Sequence, residues 1–347
     1  MNVELVKKIK TVLKKSDELS WRLKLVNMHY NLMKSKHDND KEFIRKQYYS
    51  RTGKKLNLKN PVTFNEKLQW LKLYYHNPLL HTCVDKYAVR DYVKKKLDGK
   101  YGNILIPCYG VYDDIDEVDF SKLPREFIMK LTNGSSFNYI CYHKNRKEIK
   151  KMKTRFRHWC KQDYYTYGRE WAYKGVPNRI VVEKLLKPSN GNPPEDFRFF
   201  CFDGKVKAIS VDIDSVINGV KQVNYYRNIY DSNWNRIKGR IEYSNKEDAD
   251  VPKPKQLETL VAIAEKLSED FPAVRVDLYY FDEKIYFGEL TFYHSSAFIR
   301  RTGRKEIILP WAAFRAKLLT VFFLNARTPK KCSSALTATP QEAKPVP

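Results

Sequence analysis

The sequence predicts an α+β protein of two or three packed lobes, with helices before about residue 125 and strands after it. Three observations carry this. The chain has 347 residues, more than a minimal domain needs and too few for three full ones. Apolar spacing follows the helical period up to about residue 96, whereas short apolar runs between turn residues dominate from about 127 to 300. Hydrophobic residues make up 42%, with 18 Phe, 24 Tyr and 6 Trp, enough to build a core, so the chain should be globular and not disordered.

Val3, Val6, Ile9 and Leu13 recur at helical spacing among lysines and predict a basic amphipathic helix over 3–15. A second helix follows over about 17–35. Both fit either a membrane surface or a cap on the globular body. Thr63 lies three residues before Glu66, a capping box that opens a helix through Leu68, Trp70 and Leu71. Helix resumes from about Asp85 to Lys96, and Asn103 to Pro107 reads as a short strand.

Phe127 to Lys130 reads as a strand running into the small, polar turn Thr132–Ser136. Ile180 to Leu186 is an apolar run ended by Lys187-Pro188. Phe197 to Phe202 and Val206 to Val211 form a hairpin around a tight Asp203-Gly204 turn. Leu257, Leu260, Ile263 and Leu267 share one face of a helix over about 255–269. Val274–Phe281 and Ile285–Phe292 pair as a second hairpin around Asp282-Glu283-Lys284. The tail Lys330–Pro347 is rich in Ala, Thr, Ser and Pro and reads as disordered.

The net charge is +25, from 65 Lys and Arg against 40 Asp and Glu. Such an excess attracts polyanions: nucleic acid, an anionic membrane, or phosphorylated substrates. Residues 1–60 alone hold 16 basic and 6 acidic side chains, which fits docking to a charged surface or a lysine-rich solvated face. Helix-turn-helix, zinc-finger and RNA-recognition signatures are missing, which weighs against nucleic acid. The six cysteines form no CxxC pair and no disulfide or zinc framework. They read as reduced and mostly buried, in a cytoplasmic protein. No apolar run reaches 18 residues, and the N-terminus has no signal-peptide core.

Four places offer chemistry. In the last hairpin, strand alternation puts Arg275 and Asp277 on one face, and Glu289 and Thr291 on one face of the partner strand. Asp277 and Glu289 then come close together, and Mg²⁺ bridging phosphates would supply their counter-charge. An ion pair from Arg275 to one carboxylate is the plainer reading. Lys130 ends a strand before the turn 132–136, whose backbone N–H groups can cradle phosphate oxygens. An exposed strand-end lysine is the alternative there. Glu183 and Leu185, where an apolar strand leaves into a hinge, could line a nucleobase pocket. Arg198 faces the same way as Asp196 and could clamp a phosphate, unless the two are a surface ion pair.

In this order the features resemble the ATP-grasp superfamily, and more closely its TupA-like branch, named for teichuronopeptide biosynthesis. The segments that carry the resemblance are Thr63–Trp70, Asp85–Arg90, Phe127–Asn138, Val182-Glu183, Phe199–Lys205, Val274–Tyr279 and Phe287–Phe292. They span about 60–298. The resemblance implies two α+β lobes clasping ATP over 126–300, after a basic helical region at 1–60 and a helical or α+β region at 61–125, with a divergent tail at 301–347. It implies that Lys130 contacts the α- and β-phosphates and that Asn133, Gly134, Ser135 and Ser136 close over them. Glu183 and Leu185 would sit at the adenine hinge, and Lys86 and Arg90, on a preceding helix, would reach the nucleotide. Asp277 and Glu289 would hold Mg²⁺, with Thr291 where many superfamily members have Asn. Arg275 would stabilise an acylphosphate, and Arg198 joins it as a catalytic candidate.

The implied activity is ligation of a carboxylate to an amine through that acylphosphate. The implied substrate is a bacterial surface polysaccharide or its lipid-linked precursor, modified with an amino acid; separately, the basic helices over 1–35 suggest peripheral contact with an anionic membrane. Three rivals remain open. Asp212-Ile213-Asp214 is a DxD pattern of the kind some nucleotide-sugar glycosyltransferases use for a metal. A nucleic-acid-binding protein, or an ATP-binding scaffold without catalysis, would also accommodate the charge and the altered tail.

Overall fold

The structure, a computed structural model, describes residues 39–297 apart from 190–194, 218–219, 222–224, 238–242 and 249, together with Val26 and Met33. Apart from those two positions, the helices predicted over 3–15 and 17–35 lie outside the described residues, as does the tail from 301.

Local signals start the helices. In α1 (Asp40–Thr52), the Asn39 side chain accepts from Glu42 N–H, and Gly53 ends the helix at φ 68°. The capping box of Thr63 and Glu66 opens α2 (Phe64–Tyr74). Next come α3 (Leu79–Val84) and α4 (Val89–Leu97). The helix expected from Asp85 to Lys96 begins only at Val89, after a turn in which Asp85 Oδ1 accepts from the Tyr87 and Ala88 amides, both at 2.8 Å. Asp85 prefers these local bonds to a continuous helix.

A four-stranded antiparallel sheet has the order β1 (Cys108–Tyr112), β4 (Ile180–Glu183), β2 (Phe127–Leu131), β3 (Asn138–Cys141). One face packs Phe127, Met129, Leu131, Ile180 and Val182 against Phe156 and Trp159 of α5 (Arg146–Trp159). That helix interrupts the region expected to be strands. Its seven Lys and Arg dilute an apolar stripe of Met152, Phe156 and Trp159, so the helical period was easy to miss. The strand expected at 103–107 is absent too. Only Leu105 makes an isolated bridge there, to Phe287, and the strand begins at Cys108. A short turn of helix, α6 (Tyr165–Gly168), leads to β4, which ends at Glu183, earlier than its apolar run suggests.

The second sheet is five-stranded and antiparallel. Its order is β11 (Lys284–Thr291), β10 (Ala273–Phe281), β5 (Asp196–Phe202), β6 (Lys205–Ile213), β9 (Tyr226–Tyr230). A two-stranded ribbon of β7 (Val216–Ile217) and β8 (Val220–Lys221) leaves its edge. The β5–β6 turn has Asp203 at φ 50° and Gly204 at φ 73°, the double positive φ a two-residue hairpin turn requires. Val274, Val276, Leu278, Phe197 and Phe199 face the main core, which includes Leu260, Ile263 and Leu267 of α7 (Leu257–Ser268). Alternation leaves the other face of this sheet to its charged residues.

Among the described residues no helix is long and apolar enough to cross a membrane. All five described cysteines are free. Burial pushes the thiols of Cys83 and Cys201 up to about 12, which keeps them unreactive.

Candidate active site

On the charged face of the large sheet, Asp277 pairs in register with Glu289, and Arg275 with Thr291. The turn alone would not do this. Pairing runs evenly from Phe281↔Lys284 to Leu278↔Phe287, which would set Asp277 opposite Gly288 and turn Glu289 to the core. A bulge between Asp277 and Leu278 inserts one residue and carries Glu289 onto the charged face. Glycine permits it, because a Cβ on Gly288 would lie 2.9 Å from the Asp277 carbonyl oxygen.

Arg275 binds Asp277 through two nitrogens, at 2.6 and 2.5 Å, and reaches Glu289 Oε1 at 3.3 Å and Thr291 Oγ1 at 3.2 Å. The plain ion-pair reading of this hairpin is therefore part of the geometry. The Thr291 hydroxyl donates to Glu289 Oε1 at 3.0 Å. On the next strand Arg198 sits opposite Asp277 in register. It donates to Asp196 and to Asp212, and its Nε lies 3.9 Å from Asp277 Oδ2.

These carboxylates are crowded. Burial pushes the Asp277 carboxyl up to about 7, with Asp196 and Glu289 adding to the rise against the pull of Arg275. Glu289 goes the other way. Its side chain is 45% exposed, yet it is within electrostatic reach of Lys86 and Lys130. Burial there would raise its carboxyl, but Lys86, Arg275, the Thr291 hydroxyl and Lys130 together hold it below the usual glutamate range.

Lys86 and Lys130 belong to the other wall of this cleft. Lys130 points off β2, away from the small-lobe core, and its Nζ meets Glu183 Oε2 at 2.7 Å. Glu183 ends β4 and also accepts from Arg90 at 3.5 Å, while Arg90 donates to the Ile106 carbonyl at 2.9 Å. Leu185 lies half-buried just beyond, where the Lys184 amide donates to Pro107 O. Lys86 sits in the turn before α4, not on a helix as expected, and its Nζ donates to the Gly134 carbonyl at 2.5 Å. Burial lowers its pKa despite the attraction of Glu289.

The loop 132–136 is tied down from three directions. Thr132 receives the Lys86 amide at 2.9 Å and gives its own amide to Arg179 O at 2.8 Å. Asn133 Nδ2 donates to Val176 O at 2.8 Å. Gly134 lies at φ 90° on the ring of Tyr164, where a Cβ would come within 2.7 Å. Arg179 also pairs with Asp85 at 3.0 Å, closing the circuit to the Lys86 turn. Ser135 and Ser136 are exposed at its tip.

Thus Lys86, Arg90, Lys130, Glu183 and Asn133–Ser136 gather on one wall, and Arg198, Arg275, Asp277, Glu289 and Thr291 on the other. Sequence reasoning missed Asp85, Tyr164 and Arg179, which reach this site only through the fold. Asp212 was read as half of a metal-binding DxD. It instead accepts from Arg198 at 2.5 Å and from Arg227 at 2.6 Å, and Asp214 is apart, paired with Lys246. The two carboxylates of the DxD pattern thus answer to different cations and are not paired with each other.

The donors fit Mg²⁺. This ion is held by one or two carboxylates plus phosphate and water oxygens, and Asp277 and Glu289 are two crowded carboxylates side by side. Among the described residues no group of three or more His, Cys, Asp or Glu is set to hold a metal by itself, so phosphate oxygens would have to complete the shell.

A family described as TupA-like ATP-grasp matches residues 66–307, a little past the expected end near 298. No curated protein matches the chain. Among solved structures the chain is similar to D-alanine–D-alanine ligase from Bacillus anthracis complexed with ATP, at 17% identity and TM-score 0.33, covering 61% of this chain and 54% of that one. It is also similar to L-amino acid ligase from Bacillus licheniformis, at 11% identity and TM-score 0.42, covering 76% and 57%. D-alanine–D-alanine ligase from Helicobacter pylori matches at 15% identity and TM-score 0.37, covering 78% and 68%. The chain thus spans about half the length of the first of these, and with every TM-score below 0.5 it is the sequence match that fixes the family.

Proposed function

The chain belongs to the TupA-like ATP-grasp family, and on that footing we propose that it is an ATP- and Mg²⁺-dependent carboxylate–amine ligase working in the cleft between its two sheets. A substrate carboxylate oxygen attacks the terminal phosphorus of ATP, the bond to the bridging oxygen breaks, and ADP leaves. An amine then attacks the acyl carbon of the acylphosphate, inorganic phosphate departs, and the amine gives up a proton.

The observation that carries this reading is the in-register pairing of Asp277 with Glu289 on the charged face, with Arg275 and Arg198 beside them. Glu289 also feels Lys86 and Lys130 from the opposite wall, cations suited to phosphate. Lys130 and Lys86 would neutralise the inner phosphates, and the anchored loop 132–136 would present its amides to their oxygens. Glu183 holds Lys130 and Arg90 in place, and the backbone past it, to Leu185, would border the adenine. Arg198 would face the terminal phosphate and Arg275 the acylphosphate, each fixed by carboxylates so that little reorganisation is needed. Asp277 and Glu289, with the Thr291 hydroxyl, would hold Mg²⁺, which when bound neutralises phosphate charge.

The acceptor class is suggested only by the resemblance to the family's branch. We take it to be a bacterial surface polysaccharide or its lipid-linked precursor, modified with an amino acid in the cytoplasm. Docking to an anionic membrane through residues 1–35 concerns residues almost entirely outside those described. The glycosyltransferase reading is less favoured, because Asp212 is paired with Arg198 and Arg227 and Asp214 with Lys246, so the two carboxylates of the pattern are not brought together.

The test is calorimetric titration of ATP with Mg²⁺ into the wild type and into the double variant Asp277→Asn, Glu289→Gln. Binding by the wild type and its loss in the double variant are expected. A well-folded wild type that binds no ATP would end the ligase reading, and binding unchanged in the variant would move the metal elsewhere.

A further inference from the structure

The charged face of the large sheet continues past the residues assigned so far. Asp212 on β6, its side chain 5% exposed, lies between two guanidinium groups. Arg198 Nη1 donates to its Oδ2 at 2.5 Å on one side. On the other, Arg227 of β9 donates through Nε to Oδ1 at 2.6 Å and through Nη2 to Oδ2 at 3.2 Å. Arg227 is fixed in turn by the ring of Tyr243, 4.8 Å beneath it, and by the Tyr225 hydroxyl at 3.4 Å. From β10 to β9 the face therefore alternates in charge through Asp277, Arg198, Asp212 and Arg227.

A guanidinium is a planar fork, and each carboxylate it meets removes one way of turning it. Asp196 and Asp212 take two nitrogens of Arg198 from different strands, and Asp277 stands 3.9 Å from the third. Asp196 is two residues away on the same strand and moves with Arg198. Asp212 is the partner that ties Arg198 to a neighbouring strand, and Arg227 holds Asp212 in its place.

We propose that Asp212 is a positioning residue that aims Arg198 at the terminal phosphate of ATP, with Arg227 as its support. This rests on the reading of Arg198 as the group facing that phosphate. ADP lacks the terminal phosphate, so the signature is a loss of preference for ATP over ADP, which a general loss of structure would not produce.

The test compares MgATP and MgADP affinities by calorimetry for the wild type, Arg198→Met, Asp212→Asn, Asp212→Glu and Arg227→Met. Asp212→Asn should weaken MgATP about tenfold, the value of one charge-assisted hydrogen bond, and leave MgADP unchanged. Asp212→Glu should recover part of the preference. Arg227→Met should show the same selective loss at smaller size, and it carries the test if Asp212→Asn does not fold. Equal losses for both nucleotides, or none, in a variant that folds would overturn the proposal. An Arg198→Met variant that keeps its ATP preference would overturn the underlying reading of Arg198, and the proposal with it. If Arg198→Met loses the preference while the Asp212 and Arg227 variants keep it, only the proposal falls.

Discussion

The two walls of the cleft are held by different means. On the small lobe, the loop 132–136 is fixed mainly through backbone atoms. The Thr132 amide and carbonyl and the Gly134 carbonyl are all engaged, by Arg179 and by Lys86. On the large sheet the functional groups are fixed by one another, as Arg275, Asp277, Glu289 and Thr291 share hydrogen bonds across a bulged strand pair. One wall is shaped by where the chain runs, the other by which side chains alternate along it. Substitutions should therefore damage them in different ways.

The largest effect is expected at the point where the large sheet depends on backbone. Gly288→Val puts a branched side chain against the Asp277 carbonyl, which cannot retreat without breaking the bulge. We expect a loss of about 3 kcal/mol by chemical denaturation and the disappearance of Mg²⁺-dependent ATP binding, since Glu289 would no longer face Asp277. Full stability would show that the register is set elsewhere.

An intermediate effect is expected on the other wall. Gly134→Ala forces a residue with a Cβ to φ 90° and into the Tyr164 ring. It should cost about 1–2 kcal/mol in thermal or denaturant unfolding. Adding Tyr164→Ala removes the collision but not the backbone strain, so only part should return. Complete recovery would mean that crowding alone, and not conformation, dictates the glycine.

The contrast also explains what could be read from the amino-acid order. Within each strand of the last hairpin the shared faces were legible, Arg275 with Asp277 and Glu289 with Thr291, because alternation fixes them, and a turn at 282–283 brings the strands together. The bulge was not, since nothing short of a backbone contact distinguishes Gly288 from any other strand glycine. The capping box at Thr63 and the Asp203-Gly204 turn were legible for the same local reason. The supports of the small-lobe loop were not. Asp85, Tyr164 and Arg179 reach it from separate segments, and Arg179 is 94 residues from its partner Asp85. Helix α1 falls in the region expected to be helical, but its bounds were not legible because only Ile44 and Tyr48 are buried along it.

The smallest expected effect sharpens the picture of the large sheet without nucleotide. Asp277 titrates near 7 when folded, pushed up by burial and its acidic neighbours, against an ordinary value of 3.8. Between these values the folded chain keeps a proton that the unfolded chain has released. Stability should therefore fall as pH rises from about 4 to about 7. Asp277→Asn should flatten that slope in denaturation curves taken across the window, and an unchanged slope would assign it to other groups.

The inserted residue at Gly288 divides the last hairpin into two stretches of opposite parity. From Lys284 to Phe287 the inside–outside count follows from the turn, and from Glu289 to Thr291 it follows from the bulge. Phe287, on the turn side, is buried in the core, whereas Glu289 and Thr291, on the far side, carry the oxygens proposed to hold Mg²⁺. A one-residue insertion or deletion at the bulge would reverse only the second stretch, so the chain can revise its chemistry there while the turn-proximal packing keeps its count.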